Sequence, residues 1–340
     1  MRMRQLTLIG TIMICLLLFC GSPIVYAQDK PPEFRIGYQK IPNAELVAKH
    51  LGWYEKELGV PIKWEFISSG VKAHKGLSNG SLDAALLGSS PAAAAVANGI
   101  PVQVIFIYDL IADNEALVVK KNVGVETVAD LKGKTVAAPY GSTTHYHLMV
   151  GLMLNHLNPS DLKIVFMEPE EMSEAWTKGE IDAAFVWEPT LARLQGMGGK
   201  IILTSRALVK RGFPTGDLCV IRTEFGKKYP QFLVQYIKIA DKAVKFCREH
   251  PNQAAEALAA ELGITKDEAA EQMKALILLS AKEQNEGKYF GGTYWNFGLY
   301  TVLKETADFL KDAGVVKELP PRDAFWDAVN VGFLVRAIGE

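Results

Sequence analysis

Hydrophobic positions along the chain follow two rhythms. Apolar runs of strand length occur at 33–38, 60–66, 82–87, 101–108, 116–120, 135–138 and 218–221. Several contain no polar position, as a strand buried on both faces requires. Stretches of helical period lie between them at 43–58, 72–78, 92–98 and 147–155, with Asn43 after Pro42 placed to cap the first. A Gly-rich turn after Gln195 leads into a further strand ending at Leu203. Beyond Pro230 the pattern is almost wholly helical, over 231–249, 252–262, 266–280, 300–313 and 324–338. Strands alternating with helices predict an α/β fold with a mainly parallel sheet. No linker-like segment divides the chain, so the expectation is packed lobes rather than separate beads.

One unit recurs at long range. Gly80-Ser-Leu-Asp83-Ala-Ala-Leu-Leu returns as Gly179-Glu-Ile-Asp182-Ala-Ala-Phe-Val, 99 residues later. Each copy turns out of a helix at its glycine and feeds a buried strand, followed by Pro91 or Pro189. One such unit in each half predicts two similar lobes.

The first residues belong to neither rhythm. Arg2 and Arg4 precede an apolar core over 6–20, and Val25-Tyr26-Ala27 offers a small-residue cleavage pattern. That core is too short to span a membrane, so residues 1–27 read as an export leader removed after Ala27. Cys20 ends a lipoprotein-like Leu-Leu-Phe-Cys, but bulky Phe19 stands where a lipid-attachment signal takes a small residue. Of 37 basic and 38 acidic side chains, Arg2 and Arg4 leave with the leader, so 35 remain against 38 and the net charge is −3. This balance gives no reason to expect nucleic acid or a membrane face as partner. An exported compartment permits disulfides, yet Cys219 and Cys247 read as small buried hydrophobes.

Residues 133–146, GKTVAAPYGSTTHY, carry the chemistry. The strand at 135–138 ends at Pro139, and Gly141, Ser142, Thr143 and Thr144 open a helix. The unpaired N–H groups and dipole of such a helix start, flanked by hydroxyls, suit a compact anion; an ordinary capped helix is the plainer alternative. Ser89 and Ser90 repeat the arrangement in the other half. Enzyme signatures fail: Gly133-Lys-Thr lacks the earlier glycine of a phosphate loop, and neither Ser89 nor Ser142 sits in a nucleophile elbow. His145 and His147 are two apart and do not share a metal. No cofactor is expected. Glu115, Glu188 and Asp217 lie beside strand ends, where open α/β sheets bind ligands. A carboxylate facing such a cleft needs a cation, which a ligand amine supplies. Tyr38, Tyr108 and Trp187 are candidates to close over the ligand's middle, with core packing as the alternative.

On these residues the chain resembles the periplasmic substrate-binding components of ABC importers, in the nitrate/sulfonate/taurine group and nearest to taurine-binding proteins. The markers include Ile36-Gly-Tyr-Gln39, Leu87-Gly-Ser-Ser-Pro91, Glu115-Ala-Leu-Val-Val119, Ser142-Thr-Thr-His-Tyr146 and Asp182-Ala-Ala-Phe-Val-Trp187. The resemblance covers the mature chain. It implies a type II periplasmic-binding-protein fold, with lobe one at 31–114 plus 215–340 and lobe two at 115–214. The ligand cleft would lie at a two-crossover hinge near 115–119 and 212–217. It also implies Ser89, Ser90, Ser142 and Thr143 on a sulfonate, Glu115 and Asp217 on the amine, and Trp187 packed on the ligand. Tyr38, Gln39, Thr144, His145 and Glu188 complete the expected lining. Gly216, Gly141 and the extra carboxylate Asp109 depart from the family pattern. The implied function is a monomeric, non-enzymatic receptor of the periplasm. It would close its lobes on taurine or a related aminosulfonate and deliver it to an ABC permease with its ATPase. Receptors for plain alkanesulfonate, nitrate or another small anion stay open, as does a pyrimidine-binding relative or an enzyme on the same fold.

Overall fold

The computed structural model describes residues 30–286, 288–290 and 298–339; the expected leader, with Cys15 and Cys20, falls outside them. Its ten strands are β1 (Phe34–Tyr38), β2 (Ile62–Phe66), β3 (Ala84–Gly88), β4 (Val102–Leu110), β5 (Glu115–Lys120), β6 (Thr135–Ala138), β7 (Lys163–Phe166), β8 (Ala183–Trp187), β9 (Gly199–Thr204) and β10 (Gly216–Arg222). They form two five-stranded sheets, in the orders β2-β1-β3-β10-β4 and β7-β6-β8-β5-β9. The chain leaves the first sheet after β4, builds the whole second sheet, and returns through β10.

Both sheets are mixed, which corrects the expectation of a mainly parallel one. β1 runs parallel to β2 and β3, whereas β10 lies antiparallel between β3 and β4. The second sheet repeats this, with β6 parallel to β7 and β8 and β5 antiparallel between β8 and β9. The crossovers are the cause. A strand arriving from the other half enters at the end where its neighbours finish, and so runs against them. The outward crossover also lies just before Glu115, because 115–120 is already a strand of the second sheet.

Three expected helices are shorter than their hydrophobic period suggests. The stretch 43–58 splits into α1 (Ala44–His50) and α2 (Trp53–Leu58), because Gly52 adopts φ 62° between them. The stretch 266–280 stops at Lys274: Ile277 pairs with Leu110, and Ser280 caps a new turn. The last stretch breaks where Val329 bridges Val104.

The long-range repeat has a structural counterpart. α3 (Ala73–Asn79) leads into β3 and α4 (Ser89–Ala97), while α5 (Thr143–Leu154) follows β6 and α6 (Pro169–Lys178) leads into β8. α3 and α6 end at Gly80 and Gly179, whose φ values of 78° and 76° permit the left-handed exit. The aspartate three residues on then ties two strands together in each half. Asp83 Oδ2 accepts the backbone N–H of Arg35 at 3.1 Å, and Asp182 Oδ2 that of Thr135 at 2.8 Å. Equivalent motifs therefore aim β3 and β8 at the same gap.

Candidate ligand-binding cleft

The C-terminal ends of β1, β3, β6 and β8 converge on a gap between the sheets, where open α/β sheets place their ligands. Gln39, Gly88, Glu115, Ser142, Thr143, Trp187 and Asp217 line it. Ser142 caps α5: its hydroxyl accepts the N–H of His145 at 3.1 Å and donates to the Pro139 carbonyl at 2.7 Å. From the other side, Gly88 ends β3 and opens α4. The two helices meet start to start. A Cβ on Gly88 would lie 2.8 Å from Cγ2 of Thr143, and the Ser90 hydroxyl donates to the Gly141 carbonyl at 3.1 Å. Two positive helix ends repel one another unless negative charge lies between them, so the junction favours an anion.

The halves are closed on each other. About 10 Å³ remains in the gap, room for one water. A ligand of several non-hydrogen atoms enters only when the halves part. The contacts that must yield are both polar and apolar: Ser90 to Gly141, Ser69 and Lys72 of the first half to Glu168 of the second, each at 3.4 Å, and Tyr146 of the second half edge-on against Phe309 of the first, with ring centroids 5.0 Å apart.

Carboxyls gather on the same gap. Asp217 on β10 stands opposite Asp109 on β4 in strand register. Asn43 Nδ2 donates to Asp109 Oδ2 at 3.2 Å, and Asp109 Oδ1 has no partner. Glu115 accepts from Thr143 Oγ1 at 2.6 Å and from Ser205 Oγ at 3.4 Å. All three carboxyls are buried, and no cationic side chain among the described residues offsets them. Burial, then the charge of Asp217, pushes Glu115 up to about 8. Burial pushes Asp217 up to about 7, and burial with the Asp217 charge raises Asp109 well above the usual carboxylate range. Asp109 and Asp217 cannot readily ionise together. Clustered carboxyls with neutral donors and no counter-ion suit a cation.

Several expected site residues lie elsewhere. Tyr38 turns away from the gap, packing edge-on against Trp64 and Phe66 beneath the Lys49 ammonium. Tyr108 is core: its hydroxyl meets that of Tyr236 at 2.5 Å, and Tyr236 donates to Glu45. Ser89 opens α4, but its side chain lines a separate apolar cavity. Thr144 is buried against the Ser142 hydroxyl at 2.8 Å. The His145 ring accepts the Gly141 N–H at 3.2 Å and packs between Tyr140 and Phe166; burial lowers it to about 4, so it is neutral near pH 7. Glu188 accepts the N–H of Ala192 at 2.9 Å, capping the helix Thr190–Gly196, and burial raises it to about 7. Gln39 does line the gap, held by its amide N–H to the Leu86 carbonyl at 3.1 Å. Gly88, Asn43 and Ser205 escape sequence reading, because their roles in the gap depend on Thr143, Asp109 and Glu115 respectively, the last two 66 and 90 residues away in the chain.

Comparison with known proteins places this geometry. The family described as NMT1/THI5 like matches residues 43–254. The taurine-binding periplasmic protein of Escherichia coli (strain K12) is 32% identical over 223 residues, 66% of this chain and 69% of that protein. Among solved structures, the alkanesulfonate-binding protein SsuA of Xanthomonas axonopodis pv. citri, bound to MOPS, superposes with a TM-score of 0.74 at 21% identity. The match covers 89% of this chain and 100% of that one. The periplasmic aliphatic sulphonate binding protein SsuA of Escherichia coli gives 0.68 at 22% identity, over 87% and 92% of the two chains. These likenesses show the periplasmic-binding-protein fold, and the three relatives named are binding proteins.

Proposed function

The chain belongs to the NMT1/THI5-like family, and we propose that within it the protein is a periplasmic receptor for taurine or a related aminosulfonate. The observation that carries this reading is one buried gap holding two facing helix starts and a cluster of carboxyls without a counter-ion. Such a gap calls for an anion and a cation joined by a short chain. A sulfonate is ionised at any physiological pH, so helix-start amides and hydroxyls suffice to hold it and no proton is exchanged there. Nitrate or a plain alkanesulfonate would fill the anion end and leave Asp109, Asp217 and Glu115 unpaired, a penalty that rejects them.

In this proposal Ser142, Thr143 and the two helix starts take the sulfonate, Asp217 and Glu115 take the amine, and Trp187 packs on the ligand's carbon chain. The lobes 31–114 plus 215–340 and 115–214 close about the crossovers, and the closed monomer delivers its ligand to an ABC permease with its ATPase. Export by a leader cleaved after Ala27 accords with the periplasmic relatives. An enzyme on this fold would need a nucleophile. Cys219 and Cys247 lie outside the gap as buried free thiols, and burial pushes both up to about 12.

A panel of melting temperatures tests the ligand class. Taurine and its one-carbon-longer homologue are expected to raise the midpoint clearly, while nitrate, bicarbonate and a pyrimidine leave it unmoved. Stabilisation by nitrate alone would reverse the assignment.

Closure has its own test at Gly88. Thr143 is pinned by its bond to Glu115, so its methyl cannot retreat from an added Cβ. Gly88 has ordinary backbone angles. Overpacking costs about 1–3 kcal/mol, so Gly88→Ala is expected to destabilise the closed unliganded protein by about that amount, read as a lower melting temperature. An unchanged melting temperature would mean that the unliganded halves stand further apart at Gly88 than this.

A further inference from the structure

A second cavity lies on the far side of β10 from the carboxyl cluster. Along that strand Asp217 faces the cleft, while Gly216 and Leu218 face the cavity, as the two-residue alternation of a strand dictates. Its volume is about 250 Å³, against about 10 Å³ in the cleft. The walls are aliphatic, supplied by Ile107, Ile111, Leu218, Ile277, Leu299 and Val302. Ser89 and Thr215 complete the lining, with Ser89 Oγ and Thr215 Oγ1 just beneath its surface. Both residues are buried, at 1% and 3% exposure, and neither hydroxyl has a hydrogen-bond partner. Among the described residues the one charged group on the lining, Lys288, pairs with Glu286 at 3.3 Å and lies over the Tyr289 ring. The described lining therefore offers no free charge to a ligand.

Water against such apolar walls is poorly held, and an apolar molecule displaces it favourably. Leaving two hydroxyls unsatisfied is also costly. A largely apolar molecule carrying one hydrogen-bonding group answers both conditions. By proportion to a cavity of about 150 Å³ that holds benzene, the occupant has roughly ten non-hydrogen atoms. We infer that this cavity is a second ligand site, for a neutral, mainly apolar small molecule anchored by Ser89 and Thr215. Its walls include Val209 and Pro214 from the return connection as well as Ile111 from the outward one, so the site sits at the crossovers. The inference does not depend on taurine being the ligand of the cleft.

Indole and indene test it on the mature protein, since they share a shape and differ in the one N–H. Calorimetry is expected to show both binding, with indole tighter by about fivefold, the worth of one net hydrogen bond. The double variant Ser89→Ala/Thr215→Val should erase that preference and keep indene binding. Val302→Trp, which fills the cavity from its partly exposed side, should abolish both. No binding of either probe to the wild type would overturn the inference. So would binding that survives Val302→Trp, or an indole preference that survives loss of both hydroxyls.

Discussion

Asp217→Asn is expected to weaken taurine by roughly 10²- to 10³-fold, the cost of leaving a buried charge without its partner. The side chain keeps its size and its place opposite Asp109, so the loss reports charge rather than shape. The same substitution should stabilise the unliganded protein. In the folded state burial holds the Asp217 carboxyl up to about 7, far above its unfolded value of about 3.9. At pH 8 the wild type must therefore bury a charge that water would solvate better, and asparagine removes that cost. The gain is of the order of a few kcal/mol at most, because Asp109 shares the penalty. Denaturant melts and calorimetry on one pair of proteins read both effects. A variant that binds taurine as well as the wild type would remove Asp217 from the amine site.

Stability and affinity should move in opposite directions with pH. Asp217 and Glu115 have folded values of about 7 and about 8, above their unfolded ones, and Asp109 is displaced the same way. Glu45 and Glu188, also buried, are raised to about 7. A carboxyl with a raised folded value contributes stability that is fully present below its unfolded value of about 4. That contribution is lost as pH rises through 7 and 8. The unliganded protein is thus expected to melt lower at pH 8.5 than at pH 6. Taurine reverses the sense, because its ammonium needs an ionised carboxylate. Binding near pH 6.5 should release protons, and affinity should rise by up to about tenfold per pH unit for each proton released. The rise should flatten above about pH 8 as the carboxyls become ionised before the ligand arrives. His145 and His147, both lowered to about 4 by burial, are neutral in the folded protein across this range and add nothing to the affinity; their unfolded forms begin to protonate below about pH 6.5, which offsets part of the stability gained toward pH 6. Calorimetry in buffers of different ionisation heat counts the protons; a flat affinity from pH 6 to 8.5 would contradict the account.

Much of the fold is legible in the sequence because burial leaves a plain mark. β3 and β8 lie between covering helices and are apolar throughout, and the Gly-to-Asp spacing that precedes each has a backbone cause in both halves. Strand direction is not legible. β5 and β10 have the composition of their parallel neighbours, and only the crossovers turn them around. Helix breaks at Ile277 and Val329 come from pairing with β4, more than a hundred residues away in sequence. In the cleft, Glu115, Ser142, Thr143, Trp187 and Asp217 can be read because they follow or begin strands at one end of the sheets. Tyr38 and Ser89 fail for a matter of facing: one residue of register at a strand end decides which side a side chain takes. Asp109 looks like a departure from the family pattern, and the structure makes it the partner of Asp217.

On the proposed reading the cleft recognises a zwitterion rather than an anion. Titration calorimetry of the mature protein with taurine and with ethanesulfonate, side by side at pH 7.5, tests it most directly. The two ligands share the sulfonate and the short carbon chain and differ in the amine. Taurine is predicted to bind tighter by about a hundredfold or more, the consequence of buried carboxylates left unpaired by its analogue. Equal affinities would contradict the account and leave a receptor that reads the sulfonate alone.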